Sequence, residues 1–136
     1  LIESESQWHQ FDALILQAPF DSLKKQIKRT FPIFERTFLG RIMFTEPVRI
    51  HGKLRYRLDV RNVNPIDSIK KIQVPVFLIH AKDDKIIPFP VFNEMKASGL
   101  CIKKIWTPPV GFHSELFKTL PDLYSKRCNN FLKKFG

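Results

Sequence analysis

Val74-Pro75-Val76-Phe77-Leu78-Ile79-His80-Ala81-Lys82-Asp83-Asp84-Lys85-Ile86-Ile87-Pro88 is the stretch whose reading decides the fold. Its first half is β-branched and aromatic almost without a break, the pattern of a strand covered on both faces in a parallel sheet. Pro75 stands at the entry, where a missing N–H is tolerated. The pattern predicts a strand over 74–80. A polar loop with two adjacent acids follows. It leads to a helix with Pro90 near its first position, Val91, Phe92 and Met95 on one face, and Gly99 at its end.

The same alternation of elements extends outward. Upstream, Phe11 to Ala18 is apolar at its centre and stops at Pro19, which predicts a buried strand over 12–18. The polar residues before it, 1–10, read as the end of a helix or a linker. Asp21 or Ser22 caps a helix through Leu23–Arg29, and Pro32 breaks it. From about 30 to 63, aromatic and basic residues mix without a firm period, and Pro47 and Gly52 punctuate them. This segment reads as a variable insertion or lid-like excursion. Asn64-Pro65 is a turn signal, and 66–71 a short helical stretch.

Downstream, Ile102–Trp106 predicts a third strand, followed by a loop from Thr107 to Phe112. A last helix opens near Pro121 and lines up Tyr124, Cys128, Phe131, Leu132 and Phe135 as a core-facing stripe. Strands and helices in this order predict an α/β fold: three mainly parallel strands, helices on both faces, and at least one open edge. A chain of 136 residues has room for one such domain.

Composition narrows the function classes. With 43% hydrophobic and 26% charged residues, the chain is an ordinary globular sequence. It has no apolar run of about 18 residues, so no transmembrane segment is expected. No basic stretch leading into an apolar run marks a secretory signal. Cys101 and Cys128 form no disulfide framework and have no zinc-ligand spacing, so a reducing, cytoplasmic setting without a metal is the expectation.

The net charge of +10 is uneven: residues 1–19 carry Glu3, Glu5 and Asp12 but no Lys or Arg. Such a balance admits acidic protein, anionic lipid or nucleic acid as partners. The basic residues are dispersed, however, and are not interleaved with aromatics as in a base-stacking platform. That counts against nucleic acid.

In open parallel sheets, chemistry gathers at the carboxyl ends of the strands. The second strand runs into Asp83-Asp84 and the third into Gly111-Phe112-His113. A carboxylate on one loop and an imidazole on the next suit an acid–base pair. The acid holds the imidazole in one tautomer and stabilises its charged form. Taken alone, an Asp before a helix is an ordinary cap and a loop His is ordinary too. Asp83 is expected to be solvated or to bond loop amides. His80 ends a buried strand and reads as structural. His9 and His51 have no acid or thiol at useful spacing, and both cysteines read as packing residues.

The run Asn64 to Pro88 closely resembles the α/β-hydrolase segment that brings in the acid of a serine-hydrolase triad. That segment has a proline-entered strand, a His-Gly-like pair, and an acid followed by two residues, Val or Ile, and Pro. By that resemblance Asp84, before Lys85-Ile86-Ile87-Pro88, is the triad acid. Gly111-Phe112-His113 resembles the family's Gly-x-His, with His113 as general base. Gln17-Ala18-Pro19-Phe20-Asp21-Ser22 is similar to the exit of the family's sixth strand. The resemblance covers about residues 11–135 and is strongest to the serine-aminopeptidase and dienelactone-hydrolase-like branch. Ala81 stands where the family usually has glycine.

The family's nucleophile sits on a Gly-x-Ser-x-Gly elbow. None of Ser4, Ser6, Ser22, Ser68, Ser98, Ser114 or Ser125 has those glycines, and the oxyanion loops would lie upstream as well. The resemblance thus implies the C-terminal half of an α/β-hydrolase, and Leu1 in place of Met agrees. The implied reaction is hydrolysis of an ester, thioester or amide through an acyl-enzyme, with a small-molecule or peptide acyl substrate and no cofactor. This chain alone is expected to be inactive, and either to pair with a missing N-terminal half or to self-associate through its open sheet edge. The competing reading is a non-catalytic basic module that docks acidic protein, anionic lipid or nucleic acid.

Overall fold

A computed structural model describes residues 10–32, 36–40, 42–43, 46–56 and 62–136. The chain forms two compact units: Leu1–Phe20 with Pro65–Gly136, and Asp21–Asn64. Of the polar leader, only Gln10 is among the described residues.

The first unit is a three-stranded parallel sheet. Its strands are β1 (Leu14–Gln17), β2 (Val76–Ile79) and β3 (Ile102–Trp106), in the order β1-β2-β3. Leu14 faces Val76 and Gln17 faces Ile79 across the first pair; Val76 faces Ile102 and Ile79 faces Trp106 across the second, with a bulge at Val76/Phe77. Both outer strands are shorter than or equal to the expected spans: 12–18 shrinks to four residues, and 102–106 is as read. The central strand ends before His80, yet the His80 N–H still donates to Trp106 O at 3.0 Å, so the pairing carries one residue further.

β2 sits between two cores because successive side chains of a strand point to opposite faces. All four of its residues are fully buried. Val76 and Leu78 pack with Ile69, Ile72, Phe92 and Met95 on one face. Phe77 and Ile79 pack with Ala81, Trp106, Leu116, Cys128 and Phe131 on the other. Each such side chain contributes roughly 1.5–3 kcal/mol on burial.

The helices that supply these partners flank the sheet. For numbering in chain order, α1 is Leu23–Thr30 and α2 is Glu46–Tyr56, both in the second unit. The first core face is covered by α3 (Pro65–Ser68), its 3₁₀ continuation Ile69–Lys71, and α4 (Phe89–Ser98). The other is covered by α5 (Leu116–Thr119) and α6 (Pro121–Phe135). Along α6, Cys128 and Phe131 are buried and Tyr124 and Phe135 pack beside them. Leu132 does not join them: it is 42% exposed, because the packed stripe is narrower than the periodicity suggests.

In the second unit, Ser22 has extended backbone and its hydroxyl accepts from the Lys25 N–H at 3.2 Å, capping α1. Asp21 beside it is buried. It accepts both Arg29 guanidinium nitrogens at 2.8 Å, and Lys25 Nζ lies at 3.2 Å. Burial alone would raise the Asp21 carboxyl, but the Arg29 hydrogen bond and the Ser22 and Lys25 donors outweigh it. The carboxyl is held well below the usual range. A helix, α2, occupies the middle of the segment that reads from sequence as a variable insertion.

Candidate active site

Because the three strands are parallel, their exit loops lie at one end of the sheet. The β2 exit turns sharply through Ala81–Asp84, with the Asp84 N–H donating to Ala81 O at 3.3 Å. This turn aims the Asp84 carboxylate inward. Asp84 Oδ1 accepts the N–H groups of Ile86 at 2.8 Å and Ile87 at 2.9 Å. Asp84 Oδ2 meets His113 Nδ1 at 2.8 Å. With three hydrogen-bond partners, the carboxylate has little freedom to rotate.

The two partners differ in access. The Asp84 side chain is 1% exposed and that of His113 is 26% exposed. An acid sealed in protein and a base open at its outer edge is the arrangement a proton shuttle requires. An ionised Asp84 accepts from Nδ1–H, which leaves Nε2 as the ring nitrogen with a lone pair for proton transfer.

Burial alone would raise the Asp84 carboxyl. The Ile87 amide, His113 and the Ile86 amide together outweigh that effect, so its pKa falls below the ordinary value. The acid is therefore charged at neutral pH.

The His113 loop is anchored to the Asp84 loop at two further points. The Gly111 N–H donates to Asp83 Oδ1 at 2.9 Å, and the Lys82 N–H to Pro108 O at 2.9 Å. Gly111 is required by close approach: a Cβ there would stand 3.2 Å from the Ala81 Cβ and collide with Leu116. Ser114, next to His113, is left-handed at φ 57°, a conformation that costs a non-glycine residue about 1 kcal/mol or more and fixes the direction in which the loop leaves.

The two residues singled out from sequence, Asp84 and His113, are thus brought together. Asp83 bonds a loop amide, and its partner Gly111 is 28 positions away, a pairing no local pattern reveals. His80 is fully buried at the end of β2. Ser22 is committed to its helix cap. Cys128 is buried beside Tyr124, and burial raises its thiol pKa, an unreactive setting. Among the described residues, no group of three or more His, Cys, Asp or Glu side chains is placed to hold a metal ion. Nor is any described helix long and apolar enough to cross a membrane.

Comparison with known proteins agrees with this architecture. An esterase of Pyrococcus furiosus superposes with a TM-score of 0.62 at 18% identity, over 98% of this chain and 48% of the esterase. The acylaminoacyl peptidase of Pyrococcus horikoshii superposes with a TM-score of 0.57 at 18% identity, over 97% of this chain and 21% of the peptidase. The fold is that of the α/β-hydrolases.

In sequence, the chain is 32% identical over 110 residues to the lysophosphatidylserine lipase ABHD12 of Xenopus tropicalis and 28% identical to that of Macaca fascicularis. These matches cover 77% of this chain and 26% of either relative, so the chain spans about a quarter of the length of the curated relatives it matches. No protein-family model matches the chain. The relatives and structural neighbours are named as a lipase, an esterase and a peptidase, all hydrolases.

Proposed function

We propose that this chain is the acid-and-base portion of a serine hydrolase, in which His113 is the general base and Asp84 its orienting acid. The observation that carries the reading is the 2.8 Å bond from His113 Nδ1 to a buried carboxylate whose other oxygen is held by two backbone amides.

In the proposed reaction, His113 Nε2 takes the proton of a serine hydroxyl as that oxygen attacks the acyl carbon. Asp84 stabilises the imidazolium so formed and does not itself take the proton. The imidazolium then protonates the leaving group as the acyl-enzyme forms. A water, deprotonated by the same nitrogen, then attacks the acyl carbon; the imidazolium returns the proton to the serine oxygen as the acyl–oxygen bond breaks and the acid leaves. The serine and the donors that stabilise the oxyanion come from polypeptide outside these 136 residues, which contain no Gly-x-Ser-x-Gly. The relatives' names favour an ester over an amide as substrate, and a lysophospholipid ester is the first to try.

A fluorophosphonate probe tests the reading. The isolated chain should remain unlabelled. A longer protein that carries this chain behind its upstream segment should label at one serine and hydrolyse a p-nitrophenyl ester. His113→Gln in that protein should lower kcat about 10⁶-fold. Unchanged turnover in that variant overturns the assignment, as does labelling of the isolated chain.

A further inference from the structure

His80 is the one histidine of the site region that the proposed chemistry does not use, and its surroundings are specific. Its side chain is fully buried. The Phe89 and Phe92 rings lie 6.0 and 5.6 Å from its own. Nε2 is 2.9 Å from Ile87 O, and a carbonyl can only accept, so Nε2 must carry the proton. Nδ1 is buried and has no hydrogen-bond partner among the described residues. A second proton there would be an unsatisfied donor on a buried charge, so the ring is neutral, in the Nε2–H form. Burial, the largest influence, moves its pKa in the same direction, below the ordinary value.

The carbonyl that His80 holds belongs to the residue whose amide holds the acid. The Ile87 N–H donates to Asp84 Oδ1 at 2.9 Å while Ile87 O accepts from His80 at 2.9 Å. Ile87 is 2% exposed, so neither group has water as an alternative partner. Pro88 follows and disfavours helical backbone at Ile87, so the carbonyl bond helps set how the residue is seated. His80 Nε2 also lies 3.9 Å from Asp84 Oδ2, too far for a hydrogen bond but close enough to limit where the carboxylate can turn.

We propose that His80 is a positioning residue for the Asp84–His113 pair, acting through Ile87: its Nε2–H seats the Ile87 peptide, which seats the carboxylate that orients the imidazole. The proposal rests on the acid-and-base reading only for its effect on turnover. Its structural part concerns this chain alone.

The experiment therefore has two arms. In the first, ¹⁵N and ¹H NMR of this chain reads the tautomer of His80 and the downfield Nδ1 proton of His113, for the wild type and for His80→Gln and His80→Leu. Gln places an amide donor near the former Nε2; Leu fills space without a donor. The expected result is a neutral Nε2–H His80, a His113 signal retained in H80Q, and that signal lost or exchange-broadened in H80L. A charged or Nδ1–H His80 in the wild type overturns the proposal, whether or not H80L folds. So does an unchanged His113 signal in H80L.

In the second arm, the same substitutions are placed in the longer protein and assayed with a p-nitrophenyl ester. H80L should lower kcat about 10- to 100-fold with KM nearly unchanged, and H80Q should restore most of it. Equal loss in both variants, or a loss confined to KM, marks a merely structural histidine and overturns the proposal. If the longer protein neither labels nor turns over, the hydrolase reading fails by itself, and the NMR arm still decides the role of His80.

Discussion

Asp83 and Asp84 are adjacent in the chain, yet their carboxylates serve different strand exits. Asp84 Oδ2 meets the His113 ring at 2.8 Å, while Asp83 Oδ1 accepts the Gly111 N–H at 2.9 Å, two residues before that ring. One acid orients the imidazole and its neighbour ties down the loop that carries it. Their contributions separate by substitution. Asp83→Ala should cost about 1 kcal/mol of stability, the net worth of one hydrogen bond, and should speed hydrogen exchange at the Gly111 amide. Asp84→Ala should cost more, about 2–4 kcal/mol, because it strands the Ile86 and Ile87 amides. Urea unfolding of the two variants checks the order. Equal costs would contradict the division of labour.

A Cβ at Gly111 would meet two packed neighbours. Ala there would press on Ala81 and Leu116, both buried. Gly111→Ala should therefore destabilise the chain by about 1–3 kcal/mol, the usual cost of overpacking. It should also shift the His113 ring resonances, since the loop must move to make room. A thermal melt and one NMR spectrum suffice; an unshifted ring with unchanged stability would mean the contact is slack.

Stability should fall in two stages on acidification. His80 has a folded pKa below its ordinary value of 6.5, so the unfolded chain binds its proton first as pH drops. The native state loses ground from about pH 6.5 downward, until the folded value is passed. Asp84 and Asp21 have folded pKa values below their ordinary 3.8. Their stabilisation is complete above that value and is lost as pH falls through 3.8 toward the folded values. Urea midpoints measured from pH 8 to pH 2 should decline in both windows, and His80→Gln should abolish the first decline. A midpoint that rises between pH 6.5 and pH 5 would be inconsistent with a neutral buried imidazole.

The sheet was legible because β2 is covered on both faces, which leaves an unbroken apolar run that few other settings produce. That a carboxylate of Asp83-Asp84 would meet His113 was legible because parallel strands deliver their exits to one end; the choice of Asp84 over Asp83 came from the resemblance to the α/β-hydrolase segment. The role of Asp83 was only half visible, since its partner depends on how two loops are folded toward each other. The central helix of the second unit was hidden for a local reason. Pro47 and Gly52 read as breaks, but Pro is tolerated in a first turn and one Gly in a helix costs only about 1 kcal/mol. α5, a single turn at Leu116–Thr119, is too short to have a period.

Asp84 and His113 lie 29 positions apart: Asp84 follows β2, and the chain returns through α4 and β3 to the loop that carries His113. The entropy of closing so short a ring grows only slowly with its length, and the contact is local by the standard of a sheet. A nascent chain therefore need not wait for distant segments to bring these two groups within reach. On the proposed reading, half of a reaction centre is assembled as a self-contained cassette, awaiting the surface that presents the attacking oxygen.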